Sequence, residues 1–405
     1  MLLFKALKNR AVARLWLGQV GSAIGDEIYR IAFIWLAVNY IGADTGYLAA
    51  LQLLAVLIFG VFGGKWADRW SPYKTMIGVD LLRAVITLTP VVLFYLHRPS
   101  FIALVFSTIC LSGLGAFFEP ALQTVLPMAA NDAATLKAAN GLMSTTMRLA
   151  RVAGPAIIGL ISVFIATIHF FTLNAFSYLI STWSVFSIRK SIPTSSVPES
   201  YEDEHILSSF LQSIKLLHTK PEVMRTMYAK SFTGGIWYLI YGLGMALLVH
   251  EMDANNVKAF GMVMGTYGVG NLLGALVFGS IDRKKPERMV YFGLLSFGVC
   301  FPLLAISTSF PLMLLVTVLT GFGGPINDIA FTDLVQVHFK SRDLHKIFRL
   351  RLMLETFASL VLMAFSPLLF HFFAIRTVIF SGGLVFLLVG LWGLLTYQKR
   401  AKLSV

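Results

Sequence analysis

Asp26 and Arg30 stand four residues apart, with Glu27 beside them, inside the apolar stretch Val12–Ile41. Positions i and i+4 lie one helical turn apart, so the carboxylate and the guanidinium can pair on the face that also carries Gln19 and Ser22. Such a carboxylate at mid-bilayer can take up and release a proton, the chemistry that proton coupling needs; the same geometry also serves a static ion pair that fixes helix packing. Glu119 precedes Pro120, and Asn327, Asp328 and Asp333 follow Gly323, Gly324 and Pro325. Proline frees a carbonyl and bends a helix. Both places therefore read as broken helices in which Glu119 and Asp328 couple protons or touch substrate, Asn327 lines a substrate cavity, and Asp333 is structural.

Arg148 and Arg151 are three apart and share a face, and Gly154-Pro155 after them can bend the helix. Two cations in a membrane helix need counter-charges. Glu119 and Asp26 are the candidates, and an anionic substrate is the alternative. Glu27, Arg148 and Arg151 are assigned to a substrate cavity together with Trp237, Tyr238 and Tyr241, rings that suit an aromatic drug or catechol and equally suit packing. Asp80 and Arg83 are expected to join Asp68 and Arg69 in a gating cluster with Gly64. Asp282 and Arg283 repeat the pattern later in the chain, and Glu355, with Arg351 four residues before it, reads as a further gate element.

The cost of these charges is set by their surroundings. The chain has 405 residues, of which 57% are hydrophobic and 13% charged, with a mean hydropathy of +0.76. Soluble domains carry roughly 25% charged residues, so there are too few here to clothe a soluble core of this size, and lipid must be the solvent. The net charge of +13 is spread between apolar stretches and forms no basic patch with interleaved aromatics, which excludes nucleic acid. Cys110 and Cys300 each sit in an apolar run and read as packing residues. Eight histidines are scattered with no HExxH or HxxxH spacing, and no GxxxxGK[ST] occurs. No metal, cofactor, ATP site or enzyme chemistry is expected.

A hydrocarbon core of about 30 Å needs about 20 apolar residues per helix. Such stretches recur at Val12–Ile41, Gly46–Ala67, Thr75–Leu96, Ser100–Leu126, Ala138–Ile165, Ile168–Ile188, Met227–His250, Ala259–Ile281, Met289–Ser307, Phe310–Val337, Ile347–Phe372 and Thr377–Tyr397. The first follows the basic start Lys5, Lys8, Arg10 and Arg14 and is too long for a signal-peptide core, so it is expected to be retained. Lys and Arg fall mainly in the loops on one side: Lys65, Lys74, Lys137, Arg189, Lys285 and Lys399 against Arg98, Lys258 and Arg376 on the other. Both termini are therefore expected in the cytoplasm. The polar run from Arg189 to about Arg225 divides the chain into residues 1–190, a linker at 191–225, and residues 226–405. Ile206, Phe210, Ile214 and Leu217 recur within the linker at the spacing of an amphipathic helix. Gly64–Arg69 after the second stretch is echoed by Gly279–Lys284 after the eighth, as duplicated halves would give.

The segment GKWADRWSPYKTM (Gly64–Met76) resembles the signature loop of the major facilitator superfamily, with Ser71-Pro72-Tyr73 where that loop commonly has Gly and Arg. Most of the chain resembles the drug-and-siderophore exporter branch, which includes macrolide efflux proteins and enterobactin exporters. The resemblance rests on SAIGDEIYRIAFIWL (Ser22–Leu36), DLLRA (Asp80–Ala84), FFEPALQTVLP (Phe117–Pro127) and LKAANGLMSTTMRLARVAGPAIIG (Leu136–Gly159). Within the last of these, Gly154-Pro155 resembles the antiporter signature of the fifth helix. The second half, apart from Gln336 and a basic loop near Arg342, is less similar. The resemblance implies an all-α inner-membrane protein of about twelve transmembrane helices in two six-helix halves. It further implies proton-coupled export of a bulky amphipathic drug or siderophore by a monomer, through alternating access around a cavity between the halves. Import of a siderophore-like compound or movement of a lysophospholipid is the alternative for the same fold, and a lipid-modifying enzyme or a channel is a distant one.

Overall fold

A computed structural model of the chain describes residues 3–67, 71–98, 100–130, 132–189, 206–253, 256–281 and 285–403. Among them every regular element is helical. After a short 3-10 turn at Leu3–Lys8 come α1 (Arg10–Ile41), α2 (Thr45–Ala67), α3 (Pro72–Tyr95), α4 (Phe101–Ala130), α5 (Ala133–Ile161) and α6 (His169–Ser187). The second series is α7 (Ile206–His218), α8 (Pro221–Trp237), α9 (Met245–Met252), α10 (Val257–Gly279), α11 (Pro286–Ile306), α12 (Phe310–His338), α13 (Ser341–Phe372) and α14 (Ile375–Leu403). A π-helical turn, Tyr238–Gly244, joins α8 to α9 as one long segment.

Nine spans among the described residues are long and apolar enough to cross a bilayer, one of them the run Arg10–Phe59 that contains α1 and the start of α2. α5 and α6 fall short of that hydropathy because α5 carries Lys137, Arg148 and Arg151 and α6 is rich in Ser, Thr and Asn. Their 29 and 19 residues are nevertheless of crossing length. The chain is thus an all-α membrane protein of about twelve transmembrane helices.

Local chemistry sets the ends. α3, α8, α11 and α12 begin with proline in the first turn, where its missing N–H costs nothing. α5 begins at Asp132, whose Oδ1 accepts from Thr135 N at 2.8 Å, so the helix starts five residues before the apolar stretch does. Gly42, with φ of +55°, makes the turn between α1 and α2 in a conformation that costs a Cβ-bearing residue energy.

The chain divides into two compact units, residues 1–36 with 51–203, and residues 37–50 with 204–405. The first holds a core of Val12, Leu15, Met76, Val125, Ala129 and Val185 from α1, α3, α4 and α6. The second holds Val223, Met227, Val290, Phe331, Leu334 and Ile347 from α8, α11, α12 and α13. Leu217 of α7 is buried in that second core, and Phe210 and Ile214 pack against it, so the apolar stripe of this short helix is what docks it.

Two expected breaks do not occur. α4 runs unbroken through Pro120 and Pro127, and α12 through Pro325. Glycines around Pro325 serve close packing instead. A Cβ on Gly293 would stand 2.7 Å from Asn327 Cβ, and Cβ atoms on Gly321 and Gly274 would overlap backbone of the facing α10 and α12, respectively. Small residues let α10, α11 and α12 approach until backbone meets backbone, which is the usual packing solution in lipid.

Candidate functional site

In the first unit, α1 is drawn onto α6 by two glycines two turns apart. A Cβ on Gly18 would lie 2.6 Å from the Ser184 side chain, and one on Gly25 would lie 2.6 Å from Asn174 Oδ1. Gln19 Nε2 donates to Ser181 Oγ at 3.2 Å along the same seam, and Ser184 Oγ donates to the Arg14 carbonyl. This close approach carries Asp26, the residue after Gly25, to the buried Tyr178. Tyr178 Oη donates to Asp26 Oδ1 at 2.5 Å and accepts from Asn174 Nδ2 at 3.3 Å. The Asp26 residue itself is exposed.

Behind Tyr178 lies a second, buried layer. The Arg83 guanidinium stands 5.4 Å from the Tyr178 ring centre and 4.8 Å from that of Phe118, and Arg83 Nη1 donates to Asp80 Oδ1 at 3.4 Å. Asp80 is fully buried and Arg83 is 8% exposed. α3 therefore supplies a cation held between two rings, a favourable arrangement for guanidinium, directly beneath the tyrosine that holds Asp26. Asp68 and Arg69, the expected companions of Asp80 and Arg83 in a gate, lie outside the described residues, as do Asp282 and Arg283; Gly64 is in the last turn of α2.

The pair expected between Asp26 and Arg30 is formed by Glu27 and Arg30 instead. Arg30 Nε and Nη2 donate to Glu27 Oε2 at 2.9 and 2.6 Å. The reason is rotational: the seam with α6 points Asp26 at Tyr178, and the i,i+3 neighbour takes the guanidinium. The counter-charges expected for Arg148 and Arg151 also differ. Arg148 is exposed, and Arg151 Nε lies 3.9 Å from Glu27 Oε1. Glu119 is exposed and its Oε1 accepts from Gln123 Nε2, four residues on. Exposed guanidinium groups keep their hydration and need no buried carboxylate. Gly154 brings α5 against α1 at this point, for a Cβ there would stand 2.6 Å from Glu27 Cβ. Pro155 lies within the continuous helix α5.

The second unit gathers a set of charges from three helices. Lys230 Nζ of α8 donates to Asp328 Oδ1 at 2.6 Å and to Asn327 Oδ1 at 2.5 Å, both on α12. Arg351 Nε of α13 donates to Glu355 Oε1 at 2.8 Å, its Nη2 reaches Asp328 Oδ1 at 3.5 Å, and Lys230 Nζ lies 4.0 Å from Glu355 Oε1. Two cations alternate with two carboxylates, so the group is neutral as a whole. Asn327 Nδ2 also donates to the Val290 carbonyl of α11 at 3.1 Å, fixing α12 in rotation. Lys230 is 8% exposed. The expected sites Asn327, Asp328 and Glu355 are thus brought together by a residue that the sequence reading passed over. A lysine three residues into the stretch Met227–His250 was the available signal.

Two turns further along the same segment, Trp237 stacks on Tyr241 at 4.9 Å, and Tyr267 of α10 completes the group at 4.0 Å from Tyr241 and 6.0 Å from Trp237. Trp237 Nε1 donates to Tyr267 Oη at 3.2 Å. Tyr241 is buried and Trp237 and Tyr238 half-buried. The π-helical turn begins at Tyr238, and such turns re-aim side chains relative to a regular helix. A separate cavity of about 590 Å³ lies where α8 and α11 begin and α12 and α14 end, lined by Glu222, Glu287, Asp333, His338 and Tyr397 among others. It contains none of the charge cluster. Among the described residues no group of His, Cys, Asp and Glu is arranged to hold a metal ion.

A family model described as transmembrane secretion effector matches residues 3–337. The multidrug efflux pump Tap of Mycolicibacterium fortuitum is 26% identical over 315 residues, covering 75% of this chain and 76% of that protein. Macrolide efflux protein A of Streptococcus pyogenes is 30% identical over 151 residues, 36% of each chain. Among solved structures, a bacterial homologue of the iron transporter ferroportin in an inward-facing state superposes with a TM-score of 0.72 at 15% identity, covering 95% of this chain and 98% of the other.

Proposed function

Because the chain belongs to the transmembrane secretion effector family of the major facilitator superfamily and is a membrane transporter, not an enzyme, we propose that it exports a bulky amphipathic drug-like compound in exchange for protons. Two relatives carry efflux of drugs or macrolides in their names. The halves 1–190 and 226–405, joined by the linker 191–225, rock to expose a central site to either side in turn, with both termini in the cytoplasm of an inner-membrane monomer.

Asp26 is the proton carrier in this reading. The observation that carries it is the carboxylate of Asp26, an exposed residue, held by the buried Tyr178 hydroxyl with the Arg83 guanidinium fixed behind the ring. An exposed carboxylate can exchange protons with water; a preorganised donor and a nearby cation make its ionised form depend on a geometry that rocking can change. Facing outside, Asp26 takes a proton and the compound leaves; facing the cytoplasm, it releases the proton and the compound binds. The cluster of Lys230, Asp328, Arg351 and Glu355 is the matching switch of the second half, and Trp237, Tyr238 and Tyr241 offer ring faces to the compound. Inverted vesicles with an imposed pH gradient, screened across aromatic drugs and siderophores, test the reading: gradient-dependent uptake of at least one such compound supports it. Uptake that ignores the gradient for every compound accumulated refutes proton exchange.

A further inference from the structure

α5 differs from α4 and α6 in carrying an exposed cationic face, from Lys137 to Arg151. Lys137, Asn140, Ser144, Arg148 and Arg151 recur at three- and four-residue steps and are all exposed. Arg148 lies 15 residues into a helix of 29, about 22 Å from its start at 1.5 Å per residue, so it is at mid-helix. A guanidinium at that depth facing hydrocarbon costs several kcal/mol, so the stripe faces water.

The charges on that face do not balance. Glu27 commits Oε2 to two short bonds from Arg30, which leaves Oε1 at 3.9 Å from Arg151, beyond hydrogen-bond length. The Arg151 side chain is 73% exposed. Arg148 has no ion pair among the described residues. In the second unit, by contrast, Lys230 and Arg351 are matched one for one by Asp328 and Glu355.

We infer that Arg148 and Arg151 form a binding site for an oxyanion, a carboxylate, phosphate or sulfonate, carried at one end of the transported compound. Two guanidinium forks three residues apart on one helix face can grip the oxygens of one such group from adjacent sides. Glu27 and Arg30 form the opposite wall on α1, held against α5 by the close packing at Gly154. Lys137 and Asn140 extend the stripe toward the start of α5 and give an anion a graded approach. This deepens the export reading by assigning the compound's charge, and it rests on that reading only for the claim that the bound anion is cargo.

The test is binding without a gradient, so that it stands apart from export. Purified protein in phosphatidylcholine nanodiscs is titrated with 2-naphthalenesulfonate and with its neutral relative 2-naphthalenesulfonamide. The sulfonate is expected to bind about 10- to 100-fold more tightly, the range of a charge-assisted hydrogen bond, and to weaken as salt rises. Arg148→Gln with Arg151→Gln is expected to erase that preference, with an unchanged melting temperature in the same nanodiscs verifying the fold; Arg148→Lys with Arg151→Lys is expected to restore part of it. Equal binding of the two probes to the wild type, or a preference unchanged in the Gln pair, overturns the site. Adding phosphatidylglycerol separates the sources of the oxyanion. Displacement of the sulfonate assigns the site to a lipid headgroup, and undisturbed binding assigns it to a soluble anion. If the preference holds but no gradient-driven export is found, the export reading fails and the anion site stands.

Discussion

Replacing Tyr178 by phenylalanine removes one hydroxyl and keeps the ring that Arg83 rests on. The lost atom is the donor to Asp26 Oδ1 at 2.5 Å. A hydrogen bond to a charged group is worth about 1.5–3 kcal/mol in a sheltered place. Asp26 is an exposed residue, so water recovers part of this, and the lower end, about 1.5 kcal/mol, is the proper figure. The sign follows from the direction of donation. Tyr178 donates to the ionised carboxylate, so its loss weakens the hold on that form. In proteoliposomes, the pH profile of proton-driven transport is expected to move toward alkaline pH in Tyr178→Phe, with transport at the wild-type optimum falling by up to about tenfold. An unchanged profile, or a shift toward acid, would refute the assignment of Asp26 as the group that titrates.

Lys230→Met leaves Asp328 and Glu355 without their α8 partner; because Asp328 is 55% exposed, the loss of stability is expected at roughly 1–3 kcal/mol, read as a lower melting temperature in detergent, and adding Asp328→Asn should recover part of it. Gly154→Leu forces side-chain atoms into Glu27, where even a Cβ would stand 2.6 Å from Glu27 Cβ; a cost of about 1–3 kcal/mol for overpacking and sharply reduced transport are expected in the same two assays. The hydrogen bond from Thr135 holds the Asp132 carboxyl below its ordinary value. Its contribution to the start of α5 is therefore present above the usual carboxylate range and lost as pH falls through the depressed value, so amide exchange at residues 133–136 should accelerate on acidification in the wild type and be fast at every pH in Asp132→Ala.

The helices were legible in the sequence because apolar stretches of crossing length leave few alternatives, and the spacing of Ile206, Phe210, Ile214 and Leu217 marked α7. The chemistry on α1 was legible as residue types and not as partners. Asp26, Glu27 and Arg30 lie within two helical turns, and which carboxylate takes Arg30 depends on how α1 is rotated against α6. That rotation is set by Gly18 and Gly25 meeting Ser184 and Ser177, residues more than 150 positions away. Tyr178 left no trace for the same reason, since a tyrosine in an apolar stretch is ordinary until a carboxylate is brought to it. Pro120 and Pro325 misled because proline signals a lost hydrogen bond without saying whether the helix continues past it, and here both helices do continue.

The most direct test of proton coupling is Asp26→Asn measured in two ways on the same reconstituted sample. Counterflow needs only the binding site and the rocking motion; accumulation driven by a pH gradient needs in addition a group that carries the proton. With Tyr178 still in place to hold the amide oxygen, Asp26→Asn is expected to retain counterflow and to lose gradient-driven accumulation. Accumulation against a gradient with wild-type pH dependence in this variant would contradict the assignment and make Asp26 a structural partner of Tyr178 alone.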